Sequence, residues 1–301
     1  MRIYISADME GITGLVDAMD VQPGGADYER GRIMMTEDVN AAVRGALTAG
    51  ATEILVNDAH GPMRNILPDQ LHPAARLVRG RPKPMGMLEG LDRSFDAALC
   101  IGYHARAGTL GVLSHSFMGH EIEDMWLDDR PAGEIGLTHA TAAALGVPVV
   151  LLAGDDAACR EAADWDPAVR TVPVKQARDR FAAELLPVPE ARQEIEKTAA
   201  AALQAASGET ATTGRLTLVQ PTAVARATPG GAAARTDPAA PATLAVRWQS
   251  ASVASMLLGI PGVTSRDSRT VQATGPAPDL FRLLSVWITV AAALTGQRPY
   301  C

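Results

Sequence analysis

The chain has 301 residues and a formal net charge of −7, and its length allows one large or two medium domains with a buried core. Hydrophobic residues make up 47% and charged residues 20%, which is typical of a globular protein. The negative charge argues against nucleic acid as a partner, because phosphate binding needs a concentrated basic surface and the sequence has no cluster of Lys and Arg.

We expect no secretory signal in the N-terminal segment, because its apolar stretch ends at Asp8 without a cleavage site of small residues. The apolar run over 283–294 is too short to span a bilayer. The three cysteines are widely spaced, which argues against a disulfide scaffold and against a Cys-type zinc site. We therefore expect a cytoplasmic, reduced protein without a membrane partner.

Apolar runs typical of buried parallel strands recur through the first half of the chain, with helical patterns between them. The predicted strands are 2–7, 53–57, 76–78, 97–102 and 147–152. The predicted helices are 28–49 and 131–145, each followed by a glycine suited to a helix end. This alternation predicts an α/β catalytic domain over 1–175, with a largely parallel sheet flanked by helices.

From about residue 176 the pattern changes and predicts a smaller second α+β domain over 176–301. Its predicted elements are a helix over 189–206, strands over 215–219, 243–248 and 269–273, and a last helix over 277–294. A segment near 207–242 is rich in Ala, Pro, Gly and Thr without periodicity, which is typical of a flexible insertion.

Charged and imidazole side chains follow the ends of three predicted strands. Asp8 and Glu10 come directly after the first strand, and residues two apart in an extended segment point to the same side. His60 follows the second strand and His104 the fourth. The carboxyl ends of parallel strands meet at one edge of a sheet, so we expect these side chains to lie together. Glu134, at the start of a predicted helix, can join them.

This set of residues favours a metal site. Two carboxylates so close together repel unless a cation or a shared proton lies between them. Mixed carboxylate and imidazole ligands suit Zn²⁺ or another borderline divalent metal better than Mg²⁺ or Ca²⁺. Five candidate ligands are more than one catalytic zinc needs and are about right for two metals that share a carboxylate. Such a pair activates water for hydrolysis.

Each residue also has a structural explanation. Asp8 or Glu10 alone could cap a loop, and Glu134 could complement the N-terminus of a helix. His60 could form a hydrogen bond with Asp58 across a turn. The coincidence of four such residues at three strand ends favours the metal site over these separate explanations.

Arg30 and Arg32 lie at the start of the first predicted helix, near the expected site. Either guanidinium could bind a substrate carboxylate through two hydrogen bonds. Either could also pair with a neighbouring acidic residue such as Glu29, and we prefer this structural interpretation.

Seven short motifs occur in order along the chain. They are Ser6-x-Asp8-x-Glu10-Gly11, Tyr28-Glu29-Arg30-Gly31-Arg32-x-Met34-Met35-Thr36, Val56-Asn57-Asp58-x-His60, Gly102-Tyr103-His104-Ala105, Ser114-His115-Ser116, Asp129-Arg130-Pro131-x-Gly133-Glu134 and Ala153-Gly154-Asp155-Asp156. With these motifs the chain resembles the D-aminopeptidase family of zinc peptidases, the DppA type (peptidase family M55). The resemblance runs from residue 1 to about 180 and more loosely beyond.

The resemblance implies two Zn²⁺ per subunit, with Asp8 as the bridge between them. The positions that match the family's metal ligands are Asp8, Glu10, His60, His104 and Glu134. His115 matches the position that the family treats as catalytic, as a base, a nucleophile or a transition-state donor. Without the resemblance, a loop histidine flanked by serines would be interpreted as structural.

The resemblance also implies a homo-oligomer, a decamer, whose subunits remove the N-terminal residue from short peptides such as D-Ala-D-Ala. The sequence departs from the family near 207–242 and over 117–124, directly after His115, which leaves the preference for D- or L-peptides open. Two alternatives remain: an L-dipeptidase or other amide metallohydrolase with the same site, and a non-enzymatic assembly protein with structural metals. A carboxylate-rich site argues against the second, because structural zinc sites are usually closed by Cys and His.

Overall fold

The computed structural model describes residues 1–213 and 237–296, which form two sheets with helices packed against them. The strands are β1 Arg2–Ala7, β2 Glu53–Asp58, β3 Ala75–Val78, β4 Ala97–Tyr103, β5 Ile122–Leu127, β6 Arg130–Pro131, β7 Val149–Asp155, β8 Arg170–Asp179, β9 Ala182–Leu185, β10 Ala242–Trp248, β11 Thr264–Ser265 and β12 Thr270–Gly275. The helices are α1 Ala18–Val21, α2 Tyr28–Thr48, α3 Glu134–Ala144, α4 Asp156–Trp165, α5 Val188–Thr213, α6 Ala251–Leu257 and α7 Ala277–Thr295, with a short 3₁₀ turn at Gly86–Leu88.

The first sheet has seven strands in the order β3-β2-β1-β4-β7-β8-β9. All its pairs are parallel except β8–β9, which is antiparallel. Every residue of β4 is buried, which accounts for the continuous apolar runs in the sequence, because helices cover both faces of such sheets. The parallel arrangement brings the carboxyl ends of β1, β2 and β4 to the same edge.

Helix α5 packs against α2 on the first sheet. Its buried residues Ile195 and Ala199 share a hydrophobic core with Val43 of α2. Gly45 permits the close approach, because a side chain there would lie 2.3 Å from the carbonyl oxygen of Glu196. A helix from the second half of the chain therefore completes the layer over the first sheet.

The second sheet is antiparallel and runs in the order β11-β12-β10-β5-β6. Its core contains Trp248 of β10, Met125 of β5 and Leu284 and Trp287 of α7, all buried. This sheet takes β5 and β6 from the first half of the chain. The pattern did not predict β5, because the consecutive charged residues Glu123 and Asp124 interrupt the apolar run within Ile122–Leu127.

The predicted fold class is confirmed: a largely parallel sheet flanked by helices, accompanied by a second, smaller α+β unit. The predicted strand over 147–152 begins and ends later, at Val149–Asp155, and the predicted helix over 131–145 begins at Glu134 because Arg130–Pro131 forms β6. The predicted strand over 215–219 lies outside the described residues. The predicted domain boundary at 175 falls within β8, and the division into two domains stays a prediction.

Helix α7 is longer than the apolar run over 283–294 and, with 19 residues, could cross a membrane by length and composition alone. Core helices of globular proteins meet the same criterion. One face of α7 places Leu284, Trp287 and Ala291 in the core. The absence of a membrane partner stays a prediction.

Candidate metal centre

The structure brings the five predicted ligands together at the carboxyl edge of the first sheet. We call this group the ligand cluster: Asp8, Glu10, His60, His104 and Glu134. The first two directly follow β1, the histidines follow β2 and β4, and Glu134 is the first residue of α3. All five side chains are at most 5% exposed.

The loop that carries Asp8 crosses directly over the end of β4. The backbone N–H of Asp8 donates to the carbonyl oxygen of Ile101 at 2.8 Å, and that of Gly11 donates to Gly102 at 2.7 Å. A side chain on Gly102, which has φ +77°, would lie 2.2 Å from the carbonyl oxygen of Asp8. Glycine is therefore required here, both for the left-handed backbone and for the close approach.

Asp8 lies between the two imidazoles of the cluster. Its Oδ1 lies 3.3 Å from His60 Nδ1, and its Oδ2 lies 3.5 Å from His104 Nε2. Glu10 Oε2 lies 3.0 Å from His60 Nδ1. Glu134 Oε1 lies 3.4 Å from His104 Nε2. The cluster is thus two half-sites that share one carboxylate.

The tautomers of both histidines suit metal binding. His60 Nε2 contacts the carbonyl oxygen of Val21 at 2.9 Å, and His104 Nδ1 contacts that of Ala105 at 3.0 Å. A carbonyl oxygen only accepts, so each of these nitrogens carries a proton and donates. In the neutral rings the other nitrogen then presents its lone pair to the cluster, as in histidines that bind metals.

Two buried atoms at the centre of the cluster have no hydrogen-bond partner within the described part of the chain: Asp8 Oδ2 and His104 Nε2. A buried polar atom without a partner costs about 1–3 kcal/mol. Potential ligand atoms also lie within 4.8 Å of one another in the sets Asp8–Glu10–His60 and Asp8–His104–Glu134. These nitrogen and oxygen donors fit zinc, and a cation would satisfy both orphaned atoms.

The protonation of the cluster reflects its crowded charges. Burial, together with the charge of Glu10, raises the pKa of Asp8 to about 7. Burial alone would lower the pKa of His104, but Glu134 and the other carboxylates hold it well above its usual value. The ligand cluster therefore retains protons that a divalent cation would displace.

His115 lies beside the ligand cluster on a strained loop. Its ring stacks on that of His104, with centroids 4.1 Å apart. Leu113 and Phe117 adopt φ of 51° and 53°, a left-handed conformation that is costly for such residues and concentrates at functional sites. A side chain on Gly119 would lie 3.0 Å from His115 Cβ.

The hydrogen bonds of His115 fix which nitrogen is available. Nδ1 donates to the carbonyl oxygen of Leu113 at 2.8 Å, and Nε2 lies 3.9 Å from Glu134 Oε1. Burial, together with the neighbouring His104, lowers the pKa of His115 to about 4. The ring is therefore neutral near pH 7, with the lone pair of Nε2 available as a proton acceptor.

The two ring nitrogens of His60 contact Glu10 and the carbonyl oxygen of Val21 rather than Asp58, so the predicted alternative of a hydrogen bond to Asp58 was wrong. Asp58 instead accepts hydrogen bonds from the backbone of Asn65 at 2.6 Å and of Ile66 at 2.7 Å. The Asn65 amide in turn donates to the carbonyl oxygen of His60 at 2.7 Å. Asp58 thus shapes the loop that positions His60.

Lys175 supports the loop that carries Glu10, a role that could not be assigned from the sequence. Its fully buried Nζ donates to the carbonyl oxygens of Glu10 at 2.6 Å, Ile12 at 2.9 Å and Leu15 at 2.5 Å. Three N–H groups thus meet three acceptors on the loop that carries a predicted ligand. The sequence gives no signal for this, because 165 positions separate Lys175 from Glu10.

Arg32 pairs with a neighbouring acidic residue, as the structural interpretation predicts. Its Nη1 pairs with Glu29 Oε2 at 2.9 Å, and its Nε donates to the carbonyl oxygen of Asn65 at 2.8 Å. It therefore buttresses the loop after β2.

The ligand cluster and His115 line a cavity of about 510 Å³. A second part of the lining, which we call the cavity wall, combines aromatic, aliphatic and hydroxyl side chains. Its residues are Phe117, Phe281, Ser285, Ile288, Thr289 and Ala292. All but Phe117 belong to α7, so the helix that places Leu284 and Trp287 in the core also lines the cavity.

Comparison with known proteins relates this architecture to a family. A sequence model of the M55 peptidases, described as D-aminopeptidase, matches residues 1–286. A D-aminopeptidase of Bacillus subtilis (strain 168) is 47% identical over 200 residues, which is 66% of this chain and 73% of that protein. The solved structure of the Zn-dependent D-aminopeptidase DppA from Bacillus subtilis, described as a self-compartmentalizing protease, matches with a TM-score of 0.83 at 35% identity. That match covers 97% of this chain and 98% of the other. The chain belongs to the M55 family of D-aminopeptidases.

Proposed function

We propose that this protein is a zinc-dependent aminopeptidase that removes the N-terminal residue from short peptides, with D-amino-acid peptides such as D-Ala-D-Ala as substrates. The observation that carries the proposal is the position of Asp8 between two imidazoles, with orphaned ligand atoms facing one another. Membership of the D-aminopeptidase family supports the reaction and the stereochemistry.

Two zinc ions per subunit would fit the two half-sites. Asp8, Glu10 and His60 would hold one ion, and Asp8, His104 and Glu134 the other. When bound, such a pair lowers the pKa of water and polarises the scissile carbonyl.

His115 would move the proton in this reaction. Its neutral Nε2 lies beside the ligand cluster, where it can accept a proton from the attacking water and return it to the leaving amine. The hydrogen bond from Nδ1 to Leu113 keeps the ring in that orientation, and stacking on His104 limits its rotation. Phe117 and Phe281 would exclude bulk water, which strengthens electrostatic interactions in the site.

The proposed enzyme is a cytoplasmic homo-oligomer, and we extend the predicted decamer to it. The relative described as self-compartmentalizing supports an assembly. The two described cysteines, Cys100 and Cys159, are buried free thiols, in keeping with a reducing compartment. Sedimentation of the purified protein would test the assembly size.

The test is hydrolysis of matched D- and L-dipeptides before and after chelation of the metal. We expect cleavage of D-Ala-D-Ala, loss of activity with EDTA and its return with zinc. Cleavage of L-dipeptides alone would favour the L-dipeptidase alternative. If the folded, zinc-loaded protein cleaved no dipeptide, the proposal that it is an aminopeptidase would be refuted.

A further inference from the structure

The cavity wall begins directly beside the ligand cluster. The backbone N–H of Phe117 donates to Glu134 Oε1 at 2.6 Å. The Phe117 ring meets that of Phe281 edge to face, with the ring centroids 6.0 Å apart, an arrangement that aromatic pairs prefer. An aromatic surface therefore extends from a proposed metal ligand to α7.

The short 3₁₀ turn after β3 holds Phe281 from another side. A side chain on Gly86, which has φ +47°, would lie 3.2 Å from Phe281 Cε1, so the turn and the ring are in close contact. The carbonyl oxygen of Met87 accepts hydrogen bonds from Ser6 Oγ at 2.7 Å and Asn57 Nδ2 at 2.8 Å, all of them buried. These bonds fix the backbone of the turn against the first sheet. The surface around Phe281 is therefore preformed, as is usual for a binding pocket.

The chemistry of the cavity wall suits an apolar group. Its two hydroxyls donate to the backbone of α7, Ser285 Oγ to the carbonyl oxygen of Phe281 at 3.3 Å and Thr289 Oγ1 to that of Ser285 at 2.8 Å. The other four side chains consist of carbon and hydrogen only, and none of the six is ionisable. An apolar group can therefore displace water from the wall without leaving a hydroxyl hydrogen or a charge unpaired.

The cavity is large for a peptide of two alanines. Its volume of about 510 Å³ lies within the range of roughly 300–1,000 Å³ for cavities that hold drug-sized ligands. D-Ala-D-Ala is smaller than such a ligand, and its side chains are single methyl groups. The cavity thus has room for a larger side chain against the wall.

We propose that the cavity wall is a subsite for a large apolar side chain, such as that of leucine, on a residue next to the scissile bond. The enzyme then prefers peptides with such a residue over D-Ala-D-Ala. This inference rests on the proposed function, because it names the substrate class of the same site.

Binding of non-cleavable ligands to the zinc-loaded protein tests the subsite without catalysis. The ligands are analogues of D-Ala-D-Ala, D-Ala-D-Leu and D-Leu-D-Ala with a trans-alkene in place of the amide, and calorimetry gives their Kd values. Leucine has three more side-chain carbons than alanine, and each buried methylene contributes about fourfold in affinity. We expect one of the two leucine ligands to bind about 10–60-fold more tightly than the alanine ligand. Equal binding of all three by the wild type would overturn the subsite.

A substitution on the cavity wall shows whether the preference arises there. Ala292→Phe fills the wall with a ring, so the leucine and alanine ligands should bind with Kd values within about threefold of each other. Ala293→Phe is the matched control, because Ala293 is the next residue of α7, is exposed and lies outside the described lining of the cavity. It should keep the wild-type preference. A preference that survives in Ala292→Phe, or that falls equally in both variants, would overturn the subsite, and the wild-type comparison decides the proposal even if Ala292→Phe does not fold.

Hydrolysis of the three dipeptides by the wild type separates the subsite from the proposed function. The leucine dipeptide whose analogue binds more tightly should have a kcat/KM about 10–60-fold above that of D-Ala-D-Ala, by the same burial of apolar surface. If the wild type hydrolysed none of the three, the proposed function would be refuted, and the binding comparison would still decide the subsite.

Discussion

The two parts of the cavity lining, the ligand cluster and the cavity wall, are built in different ways. The ligand cluster sits directly after three parallel strands and at the start of α3, where backbone hydrogen bonds fix each loop. The cavity wall comes mostly from α7, and Lys83, on the segment that follows β3, also lines the cavity. The proposed chemistry thus lies on loops held by backbone hydrogen bonds at the edge of the first sheet, while the cavity wall lies on elements that can vary independently. Changes on the first side should abolish the reaction, and changes on the second should alter which peptide reacts.

The largest effect is expected at the shared carboxylate. Asp8→Ala should remove a ligand from both half-sites, so both zinc ions should be lost and activity should fall by more than about a hundredfold, beyond what outer-shell changes cost. Zinc per subunit is measured by atomic absorption after dialysis against a weak chelator.

Glu10→Ala is the matched comparison, because it removes a carboxylate from one half-site only. It should deplete mainly one of the two ions. Equal zinc loss from both variants would contradict the assignment of Asp8 as the bridge.

The next effect is expected at His115. His115→Ala should lower kcat by about 10²–10⁴-fold, the range for loss of a general acid–base group. Its zinc content should stay at the wild-type level, because no step assigned to His115 requires it as a ligand. The measurement pairs zinc analysis with steady-state kinetics on D-Ala-D-Ala.

Zinc loss together with activity would instead make His115 a ligand. The experiment needs to exclude that outcome, because ligand atoms of Glu10, His104 and His115 also lie within 4.8 Å of one another and could hold an ion.

The ligand cluster could be foreseen from the sequence because its members lie close to strand ends. Asp8 and His104 directly follow β1 and β4, and His60 comes two residues after β2. Strand periodicity and the parallel sheet rule are enough to bring such positions together. The roles of the residues, and of His115 above all, came from the family resemblance, since a loop histidine has no periodic signal.

The rest of the cavity depends on tertiary packing that local pattern does not encode. Phe281 and Ile288 are separated from every member of the ligand cluster by about half of the chain or more, and the sequence indicates only that α7 is apolar. Strand β5 was missed because its Glu123 breaks the apolar pattern, and the structure pairs that residue with Arg269 at 2.7 Å. Lys175 was likewise unassigned, because its acceptors are backbone carbonyls.

A smaller effect is expected from a change at Lys175, which supports the loop that carries Glu10. Lys175→Met keeps the apolar stem but leaves three carbonyl oxygens without their donor, and the loop that carries Glu10 should loosen. We expect zinc affinity, measured by competition with a chelator, to fall by about 10–100-fold, as for other residues that orient ligands. Stability should fall by about 1–3 kcal/mol.

Lys83→Met is the control, because Lys83 is also buried and also donates to three acceptors, none of which belongs to a ligand residue. It should lose comparable stability and retain its zinc affinity. If both variants lost zinc equally, Lys175 would be a general stabilising residue rather than a positioning one.

The smallest effect is expected at Glu161, behind the ligand cluster. One of its oxygens accepts the backbone N–H of Arg106 at 2.8 Å, and the other is buried with no hydrogen-bond partner in the described ranges. Burial raises the pKa of Glu161 from its usual 4.5 to about 7. Between these two values the folded protein holds a proton that the unfolded chain releases, so this residue's contribution to stability falls as pH rises from about 4.5 to 7.

Glu161→Gln removes this ionisation and keeps the shape of the side chain. At pH 8 it should raise the free energy of unfolding by about 2 kcal/mol relative to wild type, and at pH 4.5 it should give no gain. Urea unfolding of both proteins at each pH measures the difference in their free energies of unfolding. The ligand cluster is present in both proteins, so its own titration cancels in that difference. The exposed Glu190, as Glu190→Gln, should change stability by less than about 0.5 kcal/mol at either pH. A gain from Glu161→Gln that is the same at both pH values would mean that the Glu161 carboxylate ionises normally, and that the backbone around Arg106 tolerates a buried charge.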